Sequence, residues 1–229
     1  NHPNILTSLE FERILSASGP TMGHLVRPFD QKEPRRIAWL QCVGSRDINR
    51  CDHGYCSSVC CMYAIKEAVI AKEHSKEPLD AAIFYMDMRT YGKDFEKYYN
   101  RAEEERGVRF IRSRVHTIEP VENGNLRIRF APESGDVKEE DFDMVVLSIG
   151  LAPVQGIQEL AEKLGVALNE HQYAMTSSFA PVKTSRDGIY VCGVFQSPKD
   201  IPHSVMEASA SAAASTEALA GARGTLTRS

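Results

Sequence analysis

Between Gln41 and Lys66 the sequence reads QCVGSRDINRCDHGYCSSVCCMYAIK and holds five of the chain's six cysteines: Cys42, Cys51, Cys56, Cys60 and Cys61. Thiols gathered this closely form disulfides, bind zinc or hold an iron–sulfur cluster. Disulfides are the weakest of the three. No basic stretch followed by an apolar run marks the chain for secretion, so a reducing compartment is expected, where stable disulfides are rare. Adjacent Cys60 and Cys61 would also need separate partners, because neighbours on a helix point in different directions. If a helix begins near Tyr55, Cys56 and Cys60 share one face at i, i+4. Cys61 follows, and Cys42 arrives from the end of a strand. Four converging thiolates suit a tetrahedral ion or a cubane cluster. Zinc usually takes paired C-x₂₋₄-C knuckles, and here the second knuckle is missing. A [4Fe–4S] cube accepts adjacent cysteines more easily, and a helix N-terminus favours its negative charge. Iron–sulfur ligation by Cys42, Cys56, Cys60 and Cys61 is therefore preferred, with zinc and structural or redox thiols as alternatives. Cys51, in the polar NRCDHG, could replace Cys42 as a ligand but reads more simply as a bystander thiol on a loop, and His53 reads as a surface histidine. Cys192, in YVCGVF, reads as a buried small hydrophobe.

The elements that must position these residues follow from periodicity. RRIAWLQCVG, AAIFYMDMR, DMVVLSIG and GIYVCGVF are apolar strand candidates, and VRFIRSRVHTIEPV and NLRIRFAP are strands joined by a turn at Asn123-Gly124. SLEFERILSAS is a helix with Ser8 as its N-cap, stopped by Gly19-Pro20. CMYAIKEAVIAKEH, KDFEKYYNRAEEERG, IQELAEKLGVAL and PHSVMEASASAAASTEALAG have helical spacing, the last with Gly221 behind it. Alternation of strand and helix from Arg36 to Arg114 implies an α/β fold with a Rossmann-like parallel sheet. The hairpin before DMVVLSIG looks like the small antiparallel insert of flavoprotein nicotinamide domains.

The 229 residues carry a net charge of −4, with 42% hydrophobic and 25% charged residues, ordinary for a globular protein. Mild acidity argues against nucleic acid as a partner, and no apolar run approaches the ~20 residues of a membrane span. RFIRSRVH is locally basic but alternates, as a solvated strand face does. The chain opens NHPNILTSLEF, without Met, and reads as an excerpt of a longer protein.

A Rossmann dinucleotide site needs glycines where its first strand turns into its first helix. The sequence has no G-x-G, and the cysteine loop stands at that position. The expectation is a nucleotide-domain scaffold in which a metal site replaces the phosphate cradle. The alternative is a divergent loop that still binds NAD.

The segments QCVGSRD, YCSSVCCMYAIKEA, DMRTYGKDFEKYYNRAEEERGVRFIR and SPKDIPHSVMEASASAAA together resemble the A-type subunit of heterodisulfide reductase, its FAD and iron–sulfur subunit, over nearly the whole chain. The resemblance implies a thioredoxin-reductase-like flavoprotein core with FAD and a [4Fe–4S] cluster held by Cys42, Cys56, Cys60 and Cys61. Cys51 falls outside the family pattern. The implied activity is that of a cytoplasmic oxidoreductase of anaerobic metabolism and methanogenesis, relaying electrons between FAD and partner redox centres. Its implied partners are the other subunits of a heterodisulfide reductase-like complex, with a homodimer left open. The implied segments are 1–34, part of an FAD domain and linker; 35–150, the cysteine-bearing Rossmann-like domain; and 151–229, the C-terminal part of an incomplete FAD domain. The family's FAD-binding glycine loop is expected N-terminal to this sequence, and the chain alone is expected to be inactive.

GIYVCGVFQSPKDIPHSV is similar to the strand–loop–helix that closes over the isoalloxazine in that class. This implies flavin contacts at Gly193, Ile201, Pro202, His203 and Ser204, with helix N–H groups facing the N1/O2 edge. Lys66, five residues after Cys61, would approach flavin N5. Without the resemblance, it is a surface lysine paired with Glu67 or Glu73. Two other functions stand beside the electron relay: a pyridine-nucleotide-dependent flavoprotein disulfide reductase and a zinc-stabilised interaction module.

Overall fold

Strands buried on both faces carry near-continuous apolar sequence, and this is what builds the central sheet. The computed structural model describes residues 2–221; Asn1 and 222–229, the end of the expected C-terminal segment, lie outside the described residues. The chain divides into two units, Asn1–Ser45 with Cys60–Gly150, and Arg46–Val59 with Leu151–Ser229.

The first unit contains strands β1 (Ile5–Thr7), β2 (Arg36–Val43), β3 (Asp80–Tyr85), β4 (Arg109–Arg112), β5 (Val115–Pro120), β6 (Leu126–Phe130), β7 (Lys138–Phe142) and β8 (Met144–Ile149). Its helices are α1 (Ser8–Leu15), α2 (Cys60–His74) and α3 (Phe95–Glu104). Five strands form a parallel sheet in the order β1-β8-β2-β3-β4, and β5-β6-β7 form an antiparallel one. The two-residue period of β2 sorts its side chains between two cores. Ile37 and Trp39 pack with Phe11 and Ile14 of α1 and with Ala64, Ile65 and Ala68 of α2. Ala38 and Leu40 pack with Leu126, Ile128, Phe130 and Phe142 of the antiparallel sheet. The expected α/β fold, with its parallel sheet and small antiparallel insert, is the fold observed.

Local differences have physical causes. The N-cap of α1 is Thr7, in a capping box with Glu10, one residue before the expected Ser8. VRFIRSRVHTIEPV is two strands in different sheets, broken at Ser113, whose hydroxyl donates to Ala131 O at 2.8 Å. Its Arg109 is not merely solvated: it meets Asp80 and Glu140 at 2.8 and 2.9 Å. Strand β7 was not expected from KEEDF. It buries only Phe142, and cross-strand pairs Arg127–Asp141 and Arg129–Glu139 accompany its register with β6.

Trp39 is fully buried, meets Phe11 edge-on with centroids 5.5 Å apart, and donates from Nε1 to Glu67 Oε2 at 2.9 Å. Glu67 is also fully buried, and its Oε1 has no hydrogen-bond partner. Burial pushes this carboxyl up to about 8. The folded state thus holds a proton that the unfolded state releases near pH 4.5. Between those values the folded state binds more protons, so stability falls as pH rises through the window and levels off above it. Urea unfolding from about pH 5 to about pH 9 is expected to show that decline in the wild type and a flatter profile in Glu67→Gln.

The second unit holds α4 (Ile157–Leu164) and α5 (Ile201–Ala220), joined by irregular chain around a small core of Val166, Ala174 and Val191. GIYVCGVF is not a strand. Tyr190 makes a single bridge to Lys183, and Gly193–Phe195 is a 3₁₀ turn that Gly193 enters at φ +67°. Cys192 is consequently exposed, which corrects its assignment as a buried hydrophobe. Helix α5 ends with Gly221 as its C-cap. Among the described residues no helix is long and apolar enough to cross a membrane.

Candidate metal centre

Three of the four preferred cysteines meet in the first unit. Strand β2 pairs with β8 through Leu40↔Leu147 and then Val43↔Ile149, so β2 carries one extra residue between those points. That bulge contains Cys42, which adopts φ +61°. A bulge re-aims the side chain it carries. A non-glycine residue in the left-handed region costs on the order of 1 kcal/mol. The turn closes through Ser45 N–H donating to Cys42 O at 3.2 Å.

Cys60 and Cys61 open α2, and both are buried. The Cys60 thiol lies within hydrogen-bonding reach of both Cys42 and Cys61, and these contacts, with burial, push its proton affinity strongly up. Cys61 moves the other way: the Cys60 hydrogen bond lowers it, and so does the Arg89 backbone N–H. Tyr63, two residues on, is raised by burial and donates to Ile149 O. Protons therefore hold these thiols together where a soft cation would let all of them ionise.

Cys56 belongs to the second unit and not to the helix, because α2 begins at Cys60 rather than near Tyr55. Ser58 sits at φ +64°, outside helical geometry, and the buried Ser57 hydroxyl is engaged at long range, accepting from Leu151 N–H at 2.8 Å. The Ser58 N–H points at Cys56 Sγ, 3.3 Å away. The i, i+4 argument for Cys56 and Cys60 therefore does not apply, although both remain thiol donors. Cys51 donates to Asp47 O at 3.0 Å within its own turn. His53 packs against Tyr55 at 5.3 Å. Among the described residues, no three His, Cys, Asp or Glu side chains are disposed to hold a single metal ion. The donor set is soft, sulfur-only and partly preassembled, which fits an iron–sulfur cluster.

Lys66 is half exposed and pairs with Glu12 at 2.5 Å, not with Glu67 or Glu73. The segment implied to face a flavin gathers at the start of α5. Asp200 caps the helix by accepting from His203 N–H at 2.9 Å, and its Oδ1 lies 2.6 Å from His203 Nδ1. Ser204 Oγ donates to Asp200 O at 2.8 Å, and Gly193 approaches that hydroxyl. Pro202 has no N–H, so the Ile201 N–H is what the first turn leaves for a ligand. Two residues missed in the sequence hold the preceding loop. Glu207 accepts from Gly193 N–H at 2.9 Å and from Lys199 Nζ, and Lys199 also reaches Gln196 at 2.5 Å. Asp200→Ala is expected to cost about 1 kcal/mol through the lost cap. Thermal unfolding followed by far-ultraviolet circular dichroism measures it.

The parallel sheet, its antiparallel insert and the strand–loop–helix at the cysteines define a Rossmann-like α/β scaffold. The chain belongs to the pyridine nucleotide-disulphide oxidoreductase family, whose model matches residues 20–212. Its similarity to the A-type subunits of heterodisulfide reductases runs over nearly its whole length. It is 45% identical over 223 residues to a CoB–CoM heterodisulfide reductase iron–sulfur subunit of this type from Methanopyrus kandleri, covering 96% of this chain and 34% of that protein. It is 42% identical to the A-type subunit of the H(2):CoB–CoM heterodisulfide,ferredoxin reductase of Methanothermobacter thermautotrophicus, covering 93% and 32%. It is 38% identical to a protein of Archaeoglobus profundus described as like the same heterodisulfide reductase subunit, covering 95% and 34%. The chain thus spans about a third of the length of the curated relatives it matches.

Proposed function

We propose that this chain is the cluster-bearing part of an oxidoreductase subunit that relays electrons between FAD and the redox centres of partner subunits in a heterodisulfide reductase-like complex of the cytoplasm. The observation that carries this proposal is the bulged end of β2 meeting the start of α2. It gathers Cys42, Cys60 and Cys61 where a nucleotide domain places its phosphate loop. Cys56 is the fourth ligand, and its Ser58 N–H neighbour, like the Arg89 N–H at Cys61, donates to sulfur. Hydrogen bonds of this kind tune the potential of an iron–sulfur centre. When bound, a [4Fe–4S] cluster exchanges single electrons and FAD exchanges one or two.

Segment 151–221 contributes to the FAD domain, with Gly193, Ile201, Pro202, His203 and Ser204 as flavin contacts, and Lys66 serves as a flavin cation. The Lys199–Glu207 pair keeps the Gly193 loop in place, and Glu12 pairs with Lys66. The relatives' names support both the complex and the cluster: they are subunits of heterodisulfide reductases, and one is called an iron–sulfur subunit.

The test is an anaerobic dithionite titration followed by visible absorption and electron paramagnetic resonance. A broad absorption that bleaches and a new paramagnetic signal are expected. Iron-containing protein that shows neither would contradict the relay.

A further inference from the structure

Resting on the cluster proposed above, we infer that in mildly alkaline solution, where part of the Glu67 population is ionised, Glu67 takes up protons from solvent when the cluster is reduced, so that electron and proton uptake are coupled through α2. Glu67 is fully buried, receives one neutral donor from Trp39, and leaves Oε1 without a partner. An ionised carboxylate in that setting would be an uncompensated buried charge, which only a change of protonation relieves cheaply. It stands seven residues after Cys60 on the same helix, about 10 Å along the axis at 1.5 Å per residue. It is six residues beyond Cys61 and outside the ligand set.

The groups around it do not mask the effect. From β2 the neighbour is the Trp39 N–H; from α1 it is Glu12, which disfavours a second negative charge. On α2 itself, Lys66 favours ionisation but is half exposed and paired with Glu12, and Tyr63 is held neutral by burial. Strands β3 and β8 present Ala81, Ile83, Met144 and Val146 to this core. In the proposed step, one electron from a low-potential one-electron donor enters the cluster. One proton from water forms the O–H bond on Glu67, and no bond other than that of the donating water breaks. A unit charge about 10 Å away, at an effective dielectric constant of about 20, moves a pKa by roughly one unit. The carboxyl, already raised to about 8, lies where such a move is measurable.

The experiment is a potentiometric titration of the cluster in the protein and in Glu67→Gln, from about pH 6 to about pH 10. The wild-type potential is expected to stay level up to about pH 8, fall with a slope of about half a proton per electron across roughly one pH unit, and level again. The variant is expected to stay flat. A wild type flat throughout, or a variant with the same inflection, overturns the coupling. A protein without iron overturns the cluster proposal and this one with it; iron with no Glu67-dependent inflection overturns this one alone. Should Glu67→Gln not fold, the infrared difference spectrum of wild-type protein carrying carbon-13-labelled glutamate decides. Reduction at about pH 8.5 should increase a buried carboxylic C=O band, and an unchanged band overturns the coupling.

Discussion

Replacing Cys42, Cys56, Cys60 or Cys61 singly by serine is expected to lower bound iron by roughly tenfold or more, while Cys51→Ser leaves it unchanged. The four differ in what else they do, and this makes the series informative. Cys60 and Cys61 are buried at the start of α2, so their replacement by serine also places a hydroxyl in a core. Cys42 does the opposite. Its φ of +61° strains any side chain, so Cys42→Gly should lose iron yet stabilise the metal-free protein by up to about 1 kcal/mol. Loss of iron together with gain of stability separates a ligand from a packing residue. Cys56→Ser leaves the Ser58 N–H with an oxygen acceptor and should keep its loop. Iron and unfolding measurements on the same preparations check all five. Retention of iron by Cys56→Ser and its loss from Cys51→Ser would show that the fourth ligand is Cys51.

Trp39→Ala is expected to unfold the first unit. Removing a fully buried large aromatic costs about 3–5 kcal/mol, and the Phe11 contact goes with it. The Glu67 carboxyl then loses its hydrogen-bond donor inside the core, adding about 1–3 kcal/mol. Domains of this kind are stable by about 5–15 kcal/mol in total, so a loss of this size consumes much or all of it. Trp39→Phe keeps a ring against Phe11 and removes only the N–H, and should cost less. Urea unfolding of both variants measures the difference. Trp39→Ala within about 1 kcal/mol of the wild type would mean that the contact between β2 and α2 matters little. Since β2 carries Cys42 and α2 carries Cys60 and Cys61, Trp39→Ala should also lose iron.

The parallel sheet was legible because both faces of β2, β3 and β8 are buried, which leaves uninterrupted apolar runs. Strand β7 was not, because Lys138–Phe142 owes its register to ion pairs with β6 that no local pattern announces. The cysteine positions were legible from residue type, but the bulge that aims Cys42 was not. A register shift is a property of β2 and β8 together. Helix α2 starts late, with Ser58 outside helical geometry, whereas spacing alone favoured an earlier start. Glu67 looked like a surface partner for Lys66. The signal that would have found it was its place among Ala64, Ala68 and Ala71 on the buried face of α2. The Lys199–Glu207 pair lies on either side of the Asp200 cap, where a polar loop meets an alanine-rich helix and no spacing rule applies.

Iron, acid-labile sulfide and zinc, determined on protein purified without oxygen, test the central claim most directly. The cluster proposal predicts iron and sulfide in equal, stoichiometric amounts with negligible zinc. Stoichiometric zinc with no iron or sulfide would contradict it.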